Sequence, residues 1–352
     1  MRHVRVAAAI LLTACAGSSS PATTATLARA DSISWKSTTA LPTGRDHHGT
    51  FITSRGNSAY LWVVGGNDYK KTMADVWRAP ISSTGEVGAW SEGNRLPGPR
   101  AGMGVATSDG LVILSGGKDS AQKTTTEVFA ARVSNDASIG SWTRAGTLPG
   151  PRFHHATILN GRYLYVVGGL EASVAVPTVL RATLNENGMI EKWDSLAPLP
   201  RPRSHQSILI HNGAMYLVGG LDGNPAGTNT PLADVIRAKL LADGGLGAWE
   251  EVSTMPHAYA THATAVTDNA VWLFGGVEDN ARFVAVVLRA PISANGMLGR
   301  WAQVMPGLPA ARSHVHQVPV YHGRAYSTAG SNRRVVTGEV NVGTFTARQL
   351  TR

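Results

Sequence analysis

A short element, arginine followed two residues later by histidine, recurs along the chain as Arg45-Asp46-His47, Arg152-Phe153-His154, Arg203-Ser204-His205 and Arg312-Ser313-His314. Two further copies are partial: Arg100 is followed by Gly102, and His262 is preceded by Ala260. Guanidinium groups gathered in a cleft attract carboxylates and phosphates, and neutral imidazole is a common metal ligand. Residues two apart on a β-strand face the same side. If that side looks into a channel, Arg45, Arg100, Arg152, Arg203 and Arg312 make one ring and His47, His154, His205, His262 and His314 a second. His48, His155 and His316 add imidazole nearby. Repetition in every unit favours a structural role over these readings, with arginine bonding turn carbonyls and histidine a backbone group, because an active site normally breaks symmetry.

Breaks in the repetition are therefore informative. The link Leu221–Pro231 is longer than its counterparts, and its Asp222, Asn224 and Asn229 are candidate binding residues. Thr53–Asn57 lengthens another turn. Loops raised above a rigid scaffold often carry recognition. Familiar enzyme motifs are missing: the sequence has no Walker A loop, no His-Glu-x-x-His and no Gly-x-Ser-x-Gly. No catalytic residue, metal or cofactor is assigned.

The elements that would position these residues follow from a repeat. Trp35, Trp90, Trp142, Trp193, Trp249 and Trp301 stand 51 to 56 residues apart. Gly-Gly pairs keep the same period at Gly65-Gly66, Gly116-Gly117, Gly168-Gly169, Gly219-Gly220 and Gly275-Gly276, with a degraded copy at Ala329-Gly330. A period near 50 suggests propeller blades. One unit reads as four strands: Ser204–Ile210, an Asn212-Gly213 turn, Ala214–Val218, then Asp234–Leu240 and a strand carrying Trp249. Because the Gly-Gly pairs end strands without opening helices, a dinucleotide fingerprint is excluded. Low charge (16%) and 39 glycines fit many short strands and tight turns, and no long helical period occurs.

Leu148-Pro149-Gly150-Pro151-Arg152, followed by Leu164-Tyr165-Val166-Val167-Gly168-Gly169 and Trp193, resembles the kelch repeat, and the resemblance covers about residues 32–346. It implies an all-β, six-bladed propeller with four antiparallel strands per blade around a channel. The family's Tyr-Asp-Pro after the third strand is replaced by Arg-Ala at Arg78-Ala79, Arg181-Ala182, Arg237-Ala238 and Arg289-Ala290, which marks a divergent subgroup. Ser32–Thr38 around Trp35 is a fourth strand without its first three, so it is expected to complete the last blade. The periodic tryptophans read as seals between blades, since burying one removes ~150–250 Å² from water, about 4–6 kcal/mol.

The single cysteine excludes an intrachain disulfide. Arg2 and Arg5, then an apolar run to Leu12, read as a signal peptide too short to span a bilayer. Leu12-Thr13-Ala14-Cys15 resembles the bacterial lipobox, which implies cleavage before Cys15 and its acylation. The expected organisation is a signal peptide over 1–14, a lipidated N-terminus and flexible tether over 15–31, and the propeller over 32–352. The expected function is an exported, membrane-anchored, non-enzymatic scaffold at the periplasmic or cell-surface face. It would be monomeric, bind a protein or an envelope glycan, and bind no nucleic acid. An alternative comes from a resemblance to bacterial sialic-acid epimerases: an enzyme acting on an acidic sugar through an Arg/His-lined channel. Galactose oxidase, another kelch propeller, is excluded because its centre needs a Cys–Tyr crosslink.

Overall fold

The computed structural model describes residues 31–346, except 109, 224–229, 268 and 334. Cys15, the leader and tether up to residue 30, Asn224 and Asn229 lie outside the described residues. Six four-stranded antiparallel sheets make up the architecture, with no α-helix among the described residues. Blade four is representative: Ser207–His211, Ala214–Val218, Asp234–Lys239 and Glu250–Thr254 follow one another across the sheet. Its Asn212-Gly213 hairpin has positive φ at both residues, 46° and 71°, the mirror-image turn that matches strand twist. In blade one the extra residues after Ile52 lengthen strands rather than a loop, because Gly49–Arg55 pairs with Ser58–Val64 up to Arg55 opposite Ser58.

The core is a set of seams between neighbouring sheets. Second strands such as Ala214–Val218 and Ala270–Phe274 are buried on both faces, which is why they read as continuous apolar runs. One seam joins Tyr216 and Val235 to Leu273 and Trp301, and another joins Trp62 and Leu96 to Met103 and Trp142. Each periodic tryptophan lies in the seam with the preceding blade. Trp90, Trp142 and Trp193 donate their indole N–H to the carbonyls of Thr39, Asn94 and Thr147 across that seam, at 2.9, 2.9 and 2.8 Å. The Arg-Ala pairs also find a use. Ala79, Ala182, Ala238 and Ala290 are buried, while Arg78 lies over Tyr60 and Arg181 over Tyr163.

The Gly-Gly pairs mark a close backbone approach between blades. The N–H of Gly117 donates to the carbonyl of Arg152, and that of Gly169 to Arg203, both at 2.8 Å. Gly66, Gly220, Gly276 and Gly330 do the same to Arg100, Tyr259, Arg312 and Arg45, so the links run round all six blades. A Cβ at Gly168 would sit 2.3 Å from the Arg203 carbonyl oxygen, and φ there is +60°. Only glycine meets both conditions.

The ends of the chain meet in one sheet. Ser32–Thr38 pairs antiparallel with Val340–Thr346 along its whole length, and Ile33 is buried in the seam between blades five and six. Replacing Ile33 with alanine is expected to destabilise the protein by about 2–5 kcal/mol. Faster amide exchange should follow in 340–346 but not in Ala156–Asn160, and uniform protection in the variant would contradict this role.

Candidate functional site

The recurring arginines and histidines precede the first strands instead of lying on them. His47, His154, His205 and His314 adopt φ of 52° to 56°, so they interrupt the extended chain. Residues two apart therefore do not share a face here, and the two kinds of side chain separate.

The arginines turn into the protein and are bound there. Arg45 is fully buried; it bonds the Gly65 carbonyl at 2.9 Å and the Asp75 carboxylate at 2.8 Å. Arg203 repeats this with Gly219 and Asp234 at 3.2 and 2.8 Å. Arg312 pairs with Glu339 at 2.5 Å, Arg100 with Glu127, and Arg152 with Glu171, Thr178 and the Gly168 carbonyl. Burial alone would push the Asp75 carboxyl up, but the Arg45 guanidinium holds it below its ordinary value. Arg45, Arg100, Arg152, Arg203 and Arg312 thus do not form the expected channel ring, because a buried guanidinium must be paired and these pairs lie within each blade. The acidic-sugar reading loses the cations on which it stood. The partners had a sequence signal, a polar residue immediately before a third-strand valine: Asp75-Val76, Glu127-Val128, Thr178-Val179, Asp234-Val235 and Glu339-Val340.

Backbone bonds join the histidines into a closed ring. The N–H of Gly102 donates to the His47 carbonyl, His154 to Gly102, His205 to His154, Thr261 to His205, His314 to Thr261 and His47 to His314, at 2.8 to 3.2 Å. Each blade contributes one residue, and each has positive φ. In blade five the ring residue is Thr261 and not His262. The register is set by the Gly220 link to the Tyr259 carbonyl, which puts Tyr259 where the other blades have arginine. Tyr259 also replaces the ion pair, since its hydroxyl donates to buried Glu278 at 3.3 Å. His262 belongs to the next layer, with His48, His155 and Gln206.

The imidazoles crowd together at the ring. His47 stacks on His314 with centroids 4.1 Å apart, and His154 on His205 at 3.9 Å. The two pairs approach to 4.9 Å between His47 and His154, on either side of Gly102. Beneath them His316 lies 5.7 to 6.5 Å from His47, His154, His205 and His314. Two cavities share Gly102 and His154 as a common border. One, of about 460 Å³, is lined by the first-strand residues Thr50, Thr157 and Ser207 and by His316. The other, of about 410 Å³, opens on the loop face between blades one and two and includes His47, Tyr69, Lys70, Lys71, Lys118 and Phe153. Asp222, from the candidate loop, bonds Thr230 at 3.1 Å and closes the base of that loop.

Burial holds the following histidines around the axis neutral. It pushes His48, His155, His262 and His316 down to about 3, helped by Arg45 for His48, by Arg152 for His155 and by His47 for His316. His154, His205 and His314 also lie well below the usual range, through burial and then their neighbouring imidazoles. Unfolded histidines protonate near 6.5, so between about pH 6.5 and about 3 the unfolded chain binds more protons. Stability is present above that window and is lost as pH falls through it. Each group contributes up to about 1.4 kcal/mol per pH unit. The melting temperature should fall steeply between about pH 6.5 and about pH 5. The fall should be shallower in His262→Gln, which copies Gln206. Equal slopes in the two proteins would contradict the assignment.

Comparison with known proteins finds the family described as the KLHDC2/KLHL20/DRC7 Kelch-repeats domain over residues 24–220. Beta-scruin from Limulus polyphemus is 24% identical over 181 residues, covering 51% of this chain and 19% of that protein. Kelch-like protein 33 from Homo sapiens is 28% identical over 149 residues, 42% of this chain and 26% of its own. Kelch-like protein terF from Aspergillus terreus is 25% identical over 194 residues, 53% of this chain and 41% of its own. The match spans less than half the length of each of these relatives.

Proposed function

Since the chain belongs to the kelch-repeat family, we propose that it is an exported, lipid-anchored scaffold that holds a protein partner on the loop face of its propeller. The observation that carries this reading is the depression of about 410 Å³ between blades one and two. Tyr69 at its rim is half exposed, and Lys70 and Lys71 beside it are exposed. Lys118 sits 4.3 Å above the Phe153 ring within it. An aromatic anchor with clustered cations suits an acidic protein surface, because aromatic side chains contribute contact energy and charges steer encounter. An acidic envelope glycan would match the charge but would give no protein adduct. The ring below is held by backbone bonds round all six blades, so the loops stand on a rigid base.

A photo-crosslinker at Gln122, inside the depression, should yield a discrete protein adduct in envelope preparations. The same group at Met297, in the 293–297 turn, should give none. Lys70→Glu with Lys71→Glu should reduce the adduct at least tenfold with an unchanged melting curve. Adduct formation indifferent to these charges would overturn the proposed face.

Export and anchoring rest on the leader and on Cys15. Cys15→Ser should shift the chain from the membrane fraction to the soluble fraction and abolish fatty-acid labelling. Unchanged fractionation would reject the anchor.

A further inference from the structure

The histidine ring has six-fold backbone symmetry that the side chains break at one point. Two residues after each ring position stand Gly49, Gly104, Ala156, Ser207, Ala263 and His316. Five of the six are small. Blade six alone carries an imidazole at this position, where it lines the cavity below the ring with a positive φ of 54°. Blade six is also irregular here: its first strand is reduced to Val320–Tyr321, and the Gln317 N–H turns back to the Val315 carbonyl at 2.6 Å. A non-glycine residue in this conformation costs about 1–2 kcal/mol, which makes His316 a departure that the repeat does not require.

The nitrogen atoms around His316 are poorly satisfied by the protein. Nε2 of His316 and Nδ1 of His154 are buried and have no hydrogen-bond partner. Leaving such a group unpaired costs about 1–3 kcal/mol. His47 differs in an informative way. Its Nδ1 lies 2.7 Å from the Asp46 carboxylate, which also accepts the Tyr69 hydroxyl at 2.6 Å. A carboxylate on Nδ1 fixes the tautomer and makes Nε2 the more basic free lone pair, the usual arrangement behind a metal-bound histidine. Gly102 leaves room for the rings to meet, since a Cβ there would come within 2.9 Å of His154 Cε1.

The geometry points to a binding site for one divalent transition-metal ion of the zinc class, formed by His47, His154 and His316. One nitrogen from each ring lies within 4.8 Å of the other two. A tetrahedral ion with metal–nitrogen bonds of about 2.0–2.1 Å separates its ligands by about 3.4 Å, so modest ring rotations close the site. A set of imidazoles alone suits zinc, copper or nickel and disfavours magnesium or calcium. His47 borders the loop-face depression, His316 borders the inner cavity, and His154 borders both, so the ion would sit in the partition between them. Three protein ligands leave a fourth position for water or an exogenous donor. Two other groups compete: in Asp46, His47 and His314 the carboxylate is already taken by His47 Nδ1 and the Tyr69 hydroxyl, and in His257, Glu278 and Asp279 the buried Glu278 is already held by Arg282 at 2.7 Å.

The test is Co²⁺ titration of tag-free, chelator-treated full-length protein. Wild type should bind one equivalent with the strong visible bands of a low-coordinate ion, and Zn²⁺ should displace it and raise the melting temperature. His316→Ala restores the small residue found at Ala156 and Ala263, so the fold should persist while affinity falls more than ~100-fold. His154→Gln should act likewise. Asp46→Asn keeps all three ligands and should weaken binding about 10–100-fold. Absence of Co²⁺ and Zn²⁺ binding in wild type would overturn the assignment. So would binding unchanged in His316→Ala and His154→Gln, or binding lost instead in His257→Ala.

Discussion

One hydrogen bond, from the second glycine of each pair to the carbonyl at the arginine position of the next blade, organises much of this protein. It brings two backbones so close that a Cβ at Gly116 would sit 2.3 Å from the Arg152 oxygen. Once the carbonyl is fixed, the following residues must turn sharply to enter the first strand, and the left-handed conformation at the ring supplies that turn. The turned residues then meet their counterparts and close the ring of backbone bonds. Glycine pairs, positive-φ histidines and the partition across the axis are thus consequences of a single approach distance.

Placing arginines beside that bond brings an electrostatic demand. A buried guanidinium is strongly destabilising without a partner. All five arginine blades answer with a carboxylate: four supply it just before the third-strand valine, and blade three has Thr178 at that position while Glu171 supplies the charge. Blade five shows the coupling from the other side. There Tyr259 replaces arginine, and Val286 stands where the acid would be. Both members of the pair are gone together, which is the outcome expected if each is tolerable only with the other.

Much of the fold can be read from residue types at fixed spacing. Gly-Gly after an apolar run, Asn-Gly between two runs and a tryptophan every 51 to 56 residues each reflect a local requirement repeated in each unit. The site was harder to read. Treating Arg-x-His as strand residues put both side chains on one face, whereas His154 at φ 52° breaks the alternation. Residues other than glycine are uncommon in that conformation, and nothing in Arg152-Phe153-His154 announces it. The same error of register placed His262 in the ring, because Thr261 does not look like a histidine although its backbone does the same job. His316 was visible only as additional imidazole, since its significance comes from the five small residues that occupy equivalent positions.

Sequence alone was enough for the all-β repeat, the four strands of each unit and the role of the tryptophans, because all of these depend on contacts that recur with a fixed period along the chain. The tertiary structure decided where the arginines point, which residue of blade five joins the ring, and that histidines from blades one, three and six meet beneath it. The first two depend on partners tens of residues apart, such as Arg45 with Asp75 and Gly220 with Tyr259, and the last on groups about 100 residues or more apart in sequence brought together by ring closure. His47 and His314 stack at 4.1 Å only because the last blade returns to the first.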